Sequence, residues 1–262
     1  MKAHSRHRMN IIRQRGIYIL PNLFTSGNLF CGFFATMTAL GNGRYIVAAT
    51  AILIAALLDT LDGKLARLTR TSSRFGVEFD SLADIISFGM APCVLLYTWG
   101  VSHLGRLGLA GLFLYIVCGA LRLARFNVQA ASVERHDYAG LPIPAAACLI
   151  ASWIIFDDAL HLDSALHPMP ILGITYMLAF LMISTIRYRS LKSLELKHKK
   201  PLPVLVGFLL CFLLLMVAPE IVIFVGFASY ALLGMTEKPA MALYRILIGK
   251  PAVMKESPIG KP

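Results

Sequence analysis

Residues 45–67 read YIVAATAILIAALLDTLDGKLAR. From Tyr45 to Leu58 nothing carries a charge; then Asp59 and Asp62 arrive, followed at once by Gly63, Lys64, Ala66 and Arg67. An unbroken apolar run of that kind belongs in a hydrocarbon core, with its polar end near a membrane surface. Outward from it the same texture recurs, in apolar runs near 22–41, 45–61, 79–100, 105–124, 142–157, 168–186, 202–218 and 220–235. Most approach the roughly 20 helical residues that a bilayer core of about 30 Å requires. The fold class expected is all-α, a polytopic membrane bundle of about eight transmembrane helices. Composition agrees, since 57% of the 262 residues are hydrophobic and 15% charged, which excludes an ordinary soluble domain.

Charge placement sets the expected orientation, because short loops rich in Lys and Arg stay on the cytoplasmic side. With the N-terminus inside, Lys2, Arg6, Arg8, Arg13 and Arg15 are cytoplasmic. The clusters around Lys64–Arg74, Arg122–Arg135 and Arg187–Lys200 and the C-terminal tail then fall on the same side. Of the 25 Lys and Arg, Arg44 and Arg106 alone fall outside, and the outer loop with Asp157, Asp158 and Asp163 holds neither type. Both termini are therefore expected in the cytoplasm. Residues 1–235 read as one membrane domain, opened by a basic interfacial segment at 1–18, and 236–262 as a cytoplasmic tail. No small-residue cleavage site follows the first apolar stretch, so the N-terminal segment is expected to be retained. The net charge of +11 is spread over loop ends, which favours anionic membrane lipid as a partner and not nucleic acid. Cys31, Cys93, Cys118, Cys148 and Cys211 are scattered singly through apolar runs without pairing logic. They read as packing residues.

Ionisable side chains inside apolar spans cost about 2.5–3.5 kcal/mol each on insertion scales, so a cluster of them calls for a purpose. Asp59 and Asp62 lie three apart at the end of the second run, and Asp80 and Asp84 four apart at the start of the third. Each pair shares a helical face, and a short basic connection lets the two faces converge. Oxygen ligands without Cys or His select a hard divalent cation, magnesium or manganese by preference, with calcium as a substitute. Gly63 beside Asp62 and Gly76 one turn before Asp80 leave room for a ligand near backbone, and Ala66 extends that small face. A proton or cation pathway in a transporter also uses intramembrane acids, but it has no need of the adjacent glycines.

The full string, D-x2-D-G-x2-A-R-x8-G-x3-D-x3-D on Asp59, Asp62, Gly63, Ala66, Arg67, Gly76, Asp80 and Asp84, resembles position for position the signature of the CDP-alcohol phosphatidyltransferases. The resemblance implies aspartates that hold divalent metal against the diphosphate of a CDP-linked lipid while an alcohol displaces CMP. Pro21-Asn-Leu-Phe-Thr25, Ser87-Phe-Gly-Met-Ala-Pro92, Leu121-Arg-Leu-Ala-Arg-Phe-Asn127 and Gly140-Leu-Pro-Ile-Pro144 look like the membrane-type serine-accepting branch of that family. The match runs over residues 18–147.

What the resemblance implies is transfer of a phosphatidyl group from CDP-diacylglycerol to L-serine, in a bacterial-type inner membrane with the site facing the cytoplasm, by a homodimer. The metal ligands expected are Asp59, Asp62 and Asp80, with Asp84 as the base that takes the serine proton and as a possible further ligand. Asp59, Gly63, Ala66, Arg67, Gly76 and Thr25 are expected against CDP-diacylglycerol. Arg122 or Arg125 would pair with the serine carboxylate, and Ser87 or Asn127 would add a hydrogen bond. Another alcohol acceptor, such as glycerol 3-phosphate, is the nearest alternative.

Overall fold

A computed structural model of the chain describes residues 2–69, 73–131, 140–162, 165, 167–186 and 201–248. Among the described residues the regular structure is entirely helical. Helix α1 spans Lys2–Asn42, α2 Tyr45–Thr69 and α3 Arg74–Asp84. A π-helical segment, Ile85–Met90, joins α3 to α4 (Ala91–Trp99). A 3-10 turn, Val101–Leu104, leads into α5 (Gly105–Ala131). Then come α6 (Ile143–Ala159), α7 (Met169–Ile183), α8 (Pro201–Val217) and α9 (Pro219–Ile248).

Among the described residues four segments are long and apolar enough to cross a membrane: Pro21–Gly41, Tyr45–Leu68, Arg74–Trp99 and Val101–Gln129. They coincide with the first four expected spans. The remaining four are helical but shorter. Helices α6 and α7 have 17 and 15 residues, about 26 and 23 Å at 1.5 Å per residue, and the apolar part of α9 ends near Gly234. Boundaries also moved. Helix α2 runs past 61 to Thr69, α1 is continuous from Lys2 with the first span, and α9 passes through 236 without a break. The 187–200 connection, Arg70, Arg135 and the tail beyond Ile248 lie outside the described residues.

Lipid tails are as apolar as leucine, so helices in a membrane associate through close backbone approach and polar contacts. The buried face of α1 carries Ala35 and Ala39, and that of α2 carries Ala48, Ala51 and Ala55. The two helices pack along one another after a turn at Gly43, whose φ of +60° suits glycine. Large side chains point the other way: Phe33, Met37, Leu57, Phe113 and Phe180 are exposed, where hydrocarbon would lie.

The π segment decides how the third span meets the first. The Ala91 N–H bonds back to the carbonyl of Ile86, five residues earlier, and that wider winding buries Ser87, Phe88 and Gly89. The Ser87 hydroxyl donates to the Asn28 carbonyl of α1 at 3.0 Å, and Tyr115 of α5 donates to the Phe88 carbonyl at 3.0 Å. Contact with α1 is so close that a Cβ added at Gly32 would stand 2.5 Å from the Ser87 Cα. Gly32→Ala is therefore expected to destabilise the protein by about 1–3 kcal/mol, the usual cost of overpacking. Gly41→Ala, where a Cβ meets nothing within 4 Å, serves as the control. Thermal unfolding in detergent should show a lower Tm for the first and an unchanged or raised Tm for the second.

Candidate active site

Five helices line one cleft of about 480 Å³. Helix α2 contributes Asp59, Asp62, Gly63, Ala66 and Arg67 to its wall, and α3 contributes Gly76, Val77, Asp80, Ser81 and Asp84. Helix α1 adds Pro21, Asn22 and Thr25, α5 adds Arg122, Leu123, Phe126 and Asn127, and Pro144 of α6 closes one side. The two aspartate pairs thus meet, as their three- and four-residue spacing predicts.

Carboxylate oxygens of Asp59, Asp62 and Asp80 lie within 4.8 Å of one another. Asp84 is buried in the same wall but stands outside this trio. Three carboxylates so close repel, by several kcal/mol per pair at an effective dielectric near 20. Oδ1 of Asp80 is buried without a hydrogen-bond donor among the described residues, and an orphaned oxygen of that kind is costly in a span. A divalent cation fits both observations, since it would neutralise the trio and satisfy Asp80. Asp62 has one fixed partner already: Thr25 donates to its Oδ2 at 3.0 Å.

Gly63 tests the expected lipid-substrate contacts. A Cβ there would meet only an Nη atom of Arg67, at 3.8 Å, so packing does not demand glycine and the space left open belongs to the cleft. Arg67 anchors its Nε on the Gly63 carbonyl at 2.8 Å, which holds the rest of the guanidinium at the cleft wall. Gly76 sits in the first turn of α3, where its N–H donates to the cap residue Ser73 at 2.9 Å. A Cβ on Gly76 would crowd Ser73 Oγ at 3.1 Å and Asn22 Oδ1 at 3.4 Å.

The acceptor-side expectations divide. Arg122 lines the cleft, and its buried Nε has no hydrogen-bond partner among the described residues. Arg125, one turn on, faces away: its Nη1 donates to the Ile183 carbonyl at 3.2 Å, which ties α5 to the end of α7. Asn127 reaches the cleft and donates to Ser81 at 2.9 Å. Ser87 does not line the cleft; it is fully buried, with its hydroxyl spent on Asn28, so it works as a helix-to-helix contact. The winding of the π segment is the reason, because it turns Ser87 onto α1 in place of the cleft.

The model of the CDP-alcohol phosphatidyltransferases matches residues 18–184. The chain belongs to that family. A CDP-diacylglycerol–serine O-phosphatidyltransferase of Helicobacter pylori is 37% identical over 196 residues, covering 75% of this chain and 82% of the relative. One of the same name from Bacillus subtilis is 32% identical over 174 residues, 66% of this chain and 91% of the relative. An archaetidylserine synthase of Methanothermobacter thermautotrophicus is 35% identical over 182 residues, 69% and 73% of the two chains.

Within this phosphatidyltransferase some residues in the cleft or beside it escaped the sequence reading. Ser81 was hidden beside Asp80, and Phe126 inside the Arg122–Asn127 stretch. Asn28 carries no motif, yet a fully buried asparagine in the middle of an apolar span was itself a signal. Tyr230 of α9 lies near enough to Arg122 to interact electrostatically, although α9 is beyond the residues that the family model matches.

Proposed function

We propose that the chain transfers the phosphatidyl group of CDP-diacylglycerol to the hydroxyl of L-serine, forming phosphatidylserine and releasing CMP. The observation that carries the chemistry is the trio of Asp59, Asp62 and Asp80 with Asp84 held apart from it in one cleft. Likeness to relatives named as serine transferases, together with the unpartnered Arg122 Nε, supports serine as the acceptor.

The lipid's acyl chains stay among the tails while its diphosphate enters the cleft past Gly63 and Arg67. Asp59, Asp62 and Asp80 are the residues that would hold magnesium or manganese. When bound, the cation neutralises the diphosphate and the charge that develops on the departing CMP. Arg122 pairs with the serine carboxylate and directs the hydroxyl inward, with Asn127 beside it. A serine hydroxyl is a weak nucleophile at neutral pH, so Asp84 accepts its proton as the oxygen bonds to the phosphorus that carries diacylglycerol. The bond from that phosphorus to the bridging oxygen breaks, and CMP leaves with the electron pair.

A bundle of eight spans with both termini and the site on the cytoplasmic side of a bacterial inner membrane completes the reading, as a homodimer. The distribution of Lys and Arg supports that orientation. In a cysteine-free background, a cysteine placed at Ser72 should resist an impermeant thiol reagent in intact cells and react after permeabilisation. Labelling in intact cells would reverse the orientation.

The acceptor is tested with purified protein in detergent, CDP-diacylglycerol and magnesium or manganese, given serine, glycerol 3-phosphate or inositol in parallel. CMP release with serine is expected. Release with glycerol 3-phosphate alone would reassign the acceptor, and no release with any alcohol would return the transporter reading.

A further inference from the structure

We propose that Asn28, on the first helix, is the positioning residue of Asp84, fixing one carboxylate oxygen so that the other is presented to the acceptor hydroxyl. The inference rests on the role given to Asp84 above. Asn28 Nδ2 donates to Asp84 Oδ1 at 3.2 Å, across 56 positions of sequence, and Asn28 is completely buried. The same residue is gripped a second time, because its backbone carbonyl accepts from Ser87 Oγ at 3.0 Å. Asp84 and Ser87 stand three residues apart at the start of the π segment, so the third span is clamped onto Asn28 at two points.

The clamp has a direction. An ionised carboxylate only accepts, so the amide must turn its N–H toward Asp84. That leaves Asn28 Oδ1 buried and without a partner among the described residues. For packing alone, a leucine of similar size would fill the space without an orphaned oxygen, which makes the donor toward Asp84 the feature that asparagine supplies. Thr25, three residues earlier on the same helix, treats Asp62 in the same way. Helix α1 thus holds one aspartate of each pair, Thr25 on the metal side and Asn28 on the base side. Partners one shell removed from a reacting or ligating carboxylate are worth about 10- to 100-fold in activity when lost.

The test is a comparison of Asn28→Leu with Asp84→Asn, singly and combined, in purified protein. Asn28→Leu should lower kcat about 10- to 100-fold while KM for serine and for CDP-diacylglycerol stays within about twofold. Asn28→Ser, which can bond back to its own helix but falls short of Asp84, should do the same and covers the case in which leucine prevents folding. In the Asp84→Asn background neither change should lower the residual rate further, because both act through one group. Wild-type turnover in a folded Asn28 variant overturns the proposal, and so does a full additional loss on top of Asp84→Asn. If Asp84→Asn itself turned over normally, the base assignment would fall; a silent Asn28 with a crippled Asp84→Asn would remove the positioning role alone.

Discussion

Asp84→Asn is expected to lose about 10²- to 10⁴-fold in kcat, the usual worth of a positioned general base, while CDP-diacylglycerol still binds with near-normal, magnesium-dependent affinity. The expectation follows from geometry. Asp84 lies in the cleft wall but outside the trio whose oxygens come within 4.8 Å, so its amide analogue keeps the shape, removes the proton acceptor and leaves the trio's own carboxylates in place. Asp59→Asn or Asp80→Asn withdraws a charge from the trio and should weaken metal and nucleotide binding along with turnover. Nucleotide affinity measured beside kcat in the three variants separates the cases. Equal loss of nucleotide affinity in all three would make Asp84 a fourth ligand, and near-normal turnover in Asp84→Asn would remove it from the chemistry.

The second large effect is expected at Arg122. Hydrogen bonds to charged groups contribute about 1.5–3 kcal/mol, so Arg122→Ala should raise KM for serine by about 10- to 100-fold, with little change in KM for CDP-diacylglycerol. Arg122→Lys keeps the charge but not the planar fork and should fall between the two. Arg125→Ala should instead show as lower thermal stability, because its Nη1 holds the Ile183 carbonyl across two helices. Steady-state kinetics with each substrate varied in turn decides the matter. A parallel rise in both KM values for Arg122→Ala would sink the carboxylate assignment.

The aspartates were legible because helical periodicity converts spacing into a shared face: a spacing of three from Asp59 to Asp62, and of four from Asp80 to Asp84, leaves little freedom once two spans are antiparallel neighbours. Apolar run length likewise placed α1, α2, the α3–α4 span and α5. The choice between Arg122 and Arg125 was not legible. Both sit on one side of α5, and which one faces the cleft depends on where α7 ends, at Ile183. The π winding of Ile85–Met90 escaped for a related reason: its stability comes from Asn28, Gly32 and Tyr115 on other helices, and no local pattern announces it. With it went the place of Ser87. Helix α7 was overestimated in length, because the chain leaves the helix at Ser184, inside the apolar run expected to reach 186.

The central claim is that Asp59, Asp62 and Asp80 hold a divalent cation that the transfer to serine requires. Its most direct test is serine-dependent CMP release by the purified protein after exhaustive chelation, followed by titration with magnesium or manganese. Release should vanish on chelation, return saturably with added metal, and need far more metal in Asp80→Asn. Full activity in the chelated protein, or an unchanged metal requirement in Asp80→Asn, would contradict the account.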